Sequence, residues 1–180
     1  MTEPKDTAPL AFPGFVAEII GRLEAAGHHA YAVGGCVRDL LLGRQTTDYD
    51  ITTSAAWPQV EALFEKTLPT GRRFGSGTVI MQKGSAQVTT YRTDQDYHDR
   101  RHPSKITPAQ NLAQDLLRRD FTINTLCWHP AQGVLDLLGG KADLQRGLIR
   151  CVGDPCRRFD EDALRILRAF RFSCQLGFTL

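Results

Sequence analysis

Two aspartates one residue apart, Asp48 and Asp50, close the stretch "GGCVRDLLLGRQTTDYDITT" (residues 34–53) that opens on the pair Gly34-Gly35. Carboxylates at i and i+2 share one face of a strand, where they repel each other unless something neutralises both. A divalent cation does so, because hard Mg²⁺ takes a few carboxylates together with substrate phosphates. A Gly-Gly pair is costly in backbone entropy, and it is rewarded where backbone N–H groups approach a phosphate at a helix start. Arg38 stands one turn into that helix as a further phosphate partner. Either feature alone has an ordinary reading, a turn or a solvated strand end. In this order and spacing they point to a triphosphate cradle beside a pair of metal ions, with Asp48 and Asp50 as catalytic and metal-binding residues. Two such metals activate an attacking hydroxyl and stabilise a departing pyrophosphate.

The elements that must position these residues follow from periodicity. Apolar residues at Phe15, Val16, Ile19, Ile20 and Leu23 predict a helix over 12–26 that Gly27 ends. "AYAV" (30–33) reads as a short buried strand, 37–42 as the next helix and "DYDITT" (48–53) as the next strand. A helix over 58–66 precedes a hairpin over 77–92 turning near Lys83-Gly84. Residues 93–110 read as a long polar loop carrying Asp94, Asp96, Asp99, Arg100 and Arg101. Helices are expected over 112–118 and 121–128, a short strand over 134–137, and a helix after Gly139-Gly140. The last element is one helix over 160–175 closed by Gly177. Ala163, Leu164, Ile166, Leu167 and Phe170 form its expected core face. The fold class is therefore α+β, a small mixed sheet flanked by helices and followed by helices only.

Composition sets bounds. The 180 residues carry a formal net charge of +2, ordinary for a globular chain. The five cysteines (36, 127, 151, 156 and 174) are odd in number and lack CxxC spacing, so they read as reduced thiols of a cytoplasmic protein. His28-His29 and Cys151-x4-Cys156 do not supply the paired ligands of a structural zinc site. No secretory pattern or membrane-spanning run is present.

Three further motifs extend the opening one: "VTTYRTDQDYHDRRHP" (88–103), "DLLRRDFTINTL" (115–126) and "RFDEDALRILRAFRFSCQLGF" (158–178). Taken as residue types alone, the second offers an N-capping aspartate with solvated arginines, and the third a surface ion pair between Asp162 and Arg165 at i, i+3. Together and in this order, from about residue 30 onward, they resemble the class II CCA-adding tRNA nucleotidyltransferases and the related bacterial poly(A) polymerases, within the polymerase-β-like nucleotidyltransferase superfamily. The resemblance implies addition of CMP and AMP from CTP and ATP to the 3′ end of tRNA, with Mg²⁺ at Asp48 and Asp50. It implies that Gly34, Gly35 and Arg38 meet the nucleotide phosphates and that Arg119, Asp120 and Asn124 serve sugar and phosphates. An aspartate accepting from the 2′-hydroxyl would select ribonucleotides. It further implies that Asp162 and Arg165, with Arg168 beside them, read the base edge in place of a template strand.

Gln87 stands where that family commonly carries glutamate near the metals. Its amide oxygen still accepts but bears no charge, so it is left outside the catalytic set. Tolerance, weakened catalysis and altered activity are all compatible with the difference. The family continues into a helical neck, body and tail. On that basis residues 1–11 are expected to be a flexible tail, 12–148 the catalytic head and 149–180 the start of the neck. Two alternatives stay open, an A-adding or poly(A) polymerase of the same family and a nucleotide- or RNA-binding fragment with weak turnover. Oligomeric state is not legible.

Overall fold

The computed structural model describes residues 10–71, 74–97 and 103–180. Residues 1–9 of the expected tail, and Asp99, Arg100 and Arg101 of the expected loop, lie outside the described residues, as does the side chain of Asp96.

The first helix, α1 (Gly14–Ala25), buries Phe15, Val16, Ile19, Ile20 and Leu23, the stripe its sequence spacing specifies. Gly27 ends it at φ 85°. Strand β1 (Ala30–Val33) follows, then α2 (Gly35–Leu41), β2 (Asp50–Thr53) and α3 (Trp57–Leu63). Next come β3 (Thr67–Gly71), β4 (Ser76–Met81), β5 (Gly84–Thr90), β6 (Arg92–Tyr97) and β7 (Pro103–Pro108). The chain continues through α4 (Leu112–Leu117), a 3-10 turn (Thr122–Asn124), β8 (Cys127–His129), β9 (Gly133–Leu135) and α5 (Gly140–Arg146). It closes with α6 (Pro155–Glu161) and α7 (Leu164–Leu176).

Among the described residues, one sheet runs β3-β4-β5-β2-β1-β8-β9. The β2–β5 pair is parallel and its other neighbours are antiparallel, so the sheet is mixed as expected. One face packs Ile51, Val79, Ala86 and Val88 against α1 and α3 in the main core. Phe15 lies so close to Gly84 that a Cβ there would run into its ring, which ties α1 to the β4–β5 turn. On the other face Val33 and Cys127 meet Leu116 of α4. A third cluster, Phe121, Ile149, Cys151, Ala169 and Phe172, fixes α7 to the sheet's end. No helix among the described residues is long and apolar enough to cross a membrane.

Several elements differ from their sequence reading, each for a physical reason. Residues 93–110 contain a two-stranded antiparallel ribbon, with Thr93 opposite Thr107 and Asp94 opposite Ile106. Its polar composition hides the pairing, because both strands hold few apolar residues to alternate. Residues 121–128 are a 3-10 turn and a strand rather than a helix, since Cys127 and Trp128 complete the sheet beside Val33 and Ala32. β3 was unmarked in the sequence, being an edge strand whose "TLPTG" carries a proline. The single helix expected over 160–175 is two, broken at Asp162 (φ −144°, ψ 99°). Finally, α7 buries Arg165, Ala169 and Phe172, whereas the predicted core face is open: Leu167 is 65% and Phe170 57% exposed. The helix docks through its i, i+4, i+7 stripe, and the more apolar side faces away.

Candidate nucleotide and metal site

The strand register gathers one end of the sheet. Val33 ends β1 beside Asp50 at the start of β2, and Asn124 stands just ahead of β8. α7 closes the opposite wall. Between them lies a cleft of about 710 Å³. All eleven predicted site residues line it: Gly34, Gly35, Arg38, Asp48, Asp50, Arg119, Asp120, Asn124, Asp162, Arg165 and Arg168.

The paired carboxylates among them, Asp48 and Asp50, are both exposed. Asp48 lies in the turn before β2 rather than within the strand, a small correction to the strand expected over 48–53. The turn is held by Thr46, whose Oγ1 donates to the Asp48 carbonyl (3.2 Å), and by the Tyr49 hydroxyl donating to the Thr46 carbonyl (2.9 Å). Protein atoms crowding around it push the Asp50 carboxyl up; the Arg119 guanidinium pulls it down and the Asp48 charge adds to the rise. Among the described residues no group of three or more His, Cys, Asp or Glu is assembled for a metal. A pair of open carboxylates is a donor set that suits a hard cation completed by water and substrate phosphate oxygens.

Gly34 adopts φ 85°, ψ −133°, a region that only glycine enters readily. A Cβ there would meet Arg119 Nη1 at 3.4 Å, an ordinary contact, so it is the backbone conformation that demands glycine. Arg119 points its Nη2 toward Asp115 at 3.6 Å, while its Nε is a buried donor with no hydrogen-bond partner among the described residues. An unmade bond at a buried cation is costly, and an anionic ligand in the cleft would satisfy it. Asp115 itself is fully buried, accepting from Arg118 Nε (2.8 Å), Thr52 Oγ1 (3.0 Å) and Arg92 N (3.2 Å).

Other site residues are already engaged. Arg38, expected beside phosphates, donates Nε and Nη2 to Asp39 (2.9 and 3.0 Å) and Nη1 to Asn124 Oδ1 (2.6 Å), and lies 5.0 Å over the Phe172 ring. It braces α2 against the 3-10 turn and α7. Asp120 accepts at Oδ1 from Phe121 N (2.8 Å) and Asn124 Nδ2 (3.1 Å), and at Oδ2 from Arg168 Nε and Nη2 (2.7 and 2.6 Å). Four donors fill a carboxylate's ordinary capacity. Reception of a ribose hydroxyl there therefore needs a donor to be displaced. The Asp120–Arg168 fork is the polar link between the sheet end and α7.

At the helix break, Asp162 Oδ1 accepts from Leu164 N (2.9 Å) and its Oδ2 stands 4.0 Å from Arg165 Nε. The tighter partner of Arg165 is Glu161, at 3.1 Å, which also receives Arg158 (2.8 Å) and Arg157 (3.0 Å). Burial pushes Glu161 up, but the Arg158 charge and the arginine hydrogen bonds outweigh it and hold the carboxyl below its usual range. Arg165 further donates to the Arg158 carbonyl (3.0 Å) and sits 5.9 Å from the Tyr97 ring centroid. With a further bond to the Arg118 carbonyl (3.3 Å), its orientation is set by α6, β6 and the end of α4, which leaves Asp162 as the freer of the two.

The cleft also contains Arg92, Asp94, Tyr97, Arg118 and Arg171, which sequence reasoning did not select. The signal for the first three lay in "YRTDQDY": Arg92 closes the hairpin expected over 77–92, and Asp94 and Tyr97 fall in the segment read as loop because its strand pairing was not recognised. Arg171 continues the i, i+3 series of Arg165 and Arg168 and was legible in "RILRAFR".

Comparison with known proteins gives the family. The family described as Poly A polymerase head domain matches residues 30–150. The chain is 51% identical over 162 residues to the CCA-adding enzyme of Lactobacillus helveticus (strain DPC 4571), covering 90% of this chain and 41% of that protein. It is 48% identical over 162 residues to the CCA-adding enzyme of Bacillus pumilus (strain SAFR-032), covering 90% and 40%. The crystal structure of the Bacillus stearothermophilus CCA-adding enzyme in complex with CTP superposes with a TM-score of 0.84 at 41% identity, over 93% of this chain and 41% of that one. The Thermotoga maritima CCA-adding enzyme complexed with tRNA_CCA gives 0.74 at 26% identity, over 94% and 40%. The chain spans about two fifths of the length of the curated relatives it matches. With that family matched over residues 30–150, the chain belongs to the Poly A polymerase head domain family.

Proposed function

We propose that the chain is the catalytic head and first neck helices of a CCA-adding tRNA nucleotidyltransferase, transferring CMP and AMP from CTP and ATP to the tRNA 3′ end. The observation that carries this reading is the convergence of eleven residues from separate segments on one cleft, Asp48 and Asp50 among them. The division into a head over 12–148 and a neck start over 149–180 is part of the proposal. So is a cytoplasmic location, which fits five cysteines that are all unpaired.

Mg²⁺ is the proposed metal, held by Asp48 and Asp50. When bound it would supply Lewis-acid activation of the attacking oxygen and charge neutralisation at the leaving group. The protein does the rest. Gly34 lets the triphosphate approach the backbone, and Arg119 and Arg168 offset its charge. Asp162 and Arg165 present a carboxylate and a guanidinium to the base edge. A wrong base leaves these groups unpaired, which is how a fixed site discriminates. The tRNA 3′-hydroxyl oxygen forms a bond to the α-phosphorus, the bond from that phosphorus to the bridging oxygen breaks, and pyrophosphate leaves with the electron pair. The hydroxyl proton is released to water.

Extension of tRNA transcripts ending before CCA and after CC, with each of the four ribonucleotides, tests the reading against an Asp48→Ala control. Addition of C, C and then A, abolished in the control, is the expected result. Extension by A alone on every end would favour a poly(A)-type activity instead. Mg²⁺-dependent nucleotide binding without any extension would reduce the chain to a binding head.

A further inference from the structure

The four donors that fill Asp120 are not equivalent. The two on Oδ1 come from its own turn, Phe121 N at 2.8 Å and Asn124 Nδ2 at 3.1 Å. That turn is pinned from behind, where Thr122 N donates to the Arg150 carbonyl (2.9 Å) and Val152 N to the Asp120 carbonyl (3.0 Å). The two on Oδ2 both come from Arg168, which belongs to another element, α7, and is 39% exposed against 9% for the aspartate. Oδ1 is therefore built into the fold, while Oδ2 is filled by a side chain that can leave.

Arg168 also has a competing partner within reach. It stands with Arg38 and Arg171 around the Phe172 ring, the three guanidinium carbons 5.3, 5.0 and 4.8 Å from its centroid. All three line the cleft, and among the described residues their paired carboxylates are Asp39, on Arg38, and Asp120, on Arg168. This wall thus carries an excess of positive charge. A triphosphate brings several negative charges and the oxygen pairs that a guanidinium grips bidentately, so it competes with one carboxylate for Arg168. Once the fork opens, Asp120 Oδ2 is an enclosed charge short of donors, which is costly until one arrives. A sugar hydroxyl is such a donor, as in dinucleotide sites where a carboxylate holds the ribose.

Resting on the transfer reading above, we propose that Arg168 is a specificity-determining residue for the sugar, covering Asp120 in the empty cleft and uncovering it when a triphosphate draws the guanidinium away. Asp120 then takes the ribose 2′-hydroxyl on Oδ2, while Phe121 N and Asn124 keep Oδ1 in place. Selection of ribonucleotides is thereby conditional on the triphosphate. A nucleoside without phosphates meets a carboxylate that is already filled, and its 2′-hydroxyl adds nothing to its binding. By linkage, triphosphate and 2′-hydroxyl strengthen each other's binding by one and the same factor.

Four dissociation constants on the 180-residue chain with Mg²⁺ test this: those of ATP, dATP, adenosine and 2′-deoxyadenosine, from titrations followed by NMR. A hydrogen bond to a carboxylate is worth roughly tenfold or more, so ATP should bind at least about tenfold more tightly than dATP, while the two nucleosides should agree within about twofold. The same ribose preference in both pairs, or none between ATP and dATP, would overturn the proposal. Arg168→Met, which keeps the apolar stem and removes every donor, gives a readout that a merely structural role would not move. It should weaken ATP and create a preference for adenosine over 2′-deoxyadenosine that the parent lacks. A folded Arg168→Met chain without that new preference, or an ATP–dATP difference that survives Asp120→Ala, would also overturn it. The parent ratios decide the matter even where a variant does not fold. Failure of the transfer reading looks different, because the parent chain would then show no Mg²⁺-dependent binding of ATP or CTP, and the proposal would fall with it.

Discussion

Asp115 is the residue whose removal the structure makes most costly without touching any substrate. It is fully buried and receives Arg118 Nε at 2.8 Å and Arg119 Nη2 at 3.6 Å, with Thr52 and the Arg92 amide completing its shell. Both arginine side chains are mostly enclosed, 14% and 17% exposed, so solvent screens them little. Asp115→Asn keeps the shape but takes the buried counter-charge from Arg119, leaves Arg118 with Asp94 alone at 3.6 Å, and sets an amide N–H₂ among donors. Breaking a buried pair from one side costs about 3–5 kcal/mol. A urea slope of about 2 kcal/mol/M converts the lower figure into a midpoint lowered by roughly 1.5 M. The pH dependence has a definite sign. Burial pushes Asp115 up, but the two arginines and their hydrogen bonds outweigh it, so the folded carboxyl titrates below its ordinary value. A depressed carboxyl contributes stability that is present above its unfolded pKa, about 3.9, and is lost as pH falls through the folded value. The gap between parent and variant should therefore hold from pH 7 to about 5 and narrow below 4. Urea titrations across that range decide it. A midpoint within about 0.3 M of the parent at pH 7, or a gap that widens in acid, would refute the reasoning.

Three other outcomes follow from particular contacts. Burial pushes the Cys36 thiol up to about 11 and Cys127 to about 12, and raises Cys151, while Cys156 and Cys174 are exposed; iodoacetamide at pH 7.5 should label the last two within minutes and the others only after denaturation, read by intact mass. Gly34→Ala should lower stability by about 1–3 kcal/mol, from its positive φ, and weaken nucleotide binding through the Arg119 contact, as measured by thermal melting and ATP titration. Phe172→Ala removes an edge-on contact with Phe121 at 5.9 Å and the platform beneath Arg38, so a loss of about 3–5 kcal/mol and faster amide exchange in α7 are expected.

What the sequence revealed and what it concealed divide along physical lines. α1 was legible because five apolar residues at helical spacing and a terminal glycine agree with one another. Gly34, Gly35, Arg38, Asp48 and Asp50 were legible from residue types and spacing, because a glycine pair and paired carboxylates are costly in a fold that has no use for them. Arg119, Asp120, Asn124, Asp162, Arg165 and Arg168 stood out only through the family resemblance, since alone they read as a cap and a surface ion pair. Residues 121–128 were not, because Ile123, Leu126 and Cys127 fit a helical face as well as a strand, and only the open edge of β1 beside Cys127 decides between them. The break at Asp162 was hidden as well. Helix-forming residues flank it on both sides, and what ends α6 is the competition of Asp162 Oδ1 for the Leu164 amide. Leu167 and Phe170 misled for another reason, since amphipathicity states that a face is apolar without stating what covers it.

Base selection by Asp162 and Arg165 is the claim on which the functional account rests, and binding of the four ribonucleoside triphosphates to this chain with Mg²⁺ tests it most directly. CTP and ATP should bind at least about tenfold more tightly than GTP and UTP, an advantage expected of a site built to hydrogen-bond particular edges. Arg165→Ala should erase that preference while leaving residual affinity through Arg119 and Arg168. Equal affinity for all four in the parent chain, or a preference that survives Arg165→Ala and Asp162→Ala, would contradict the account.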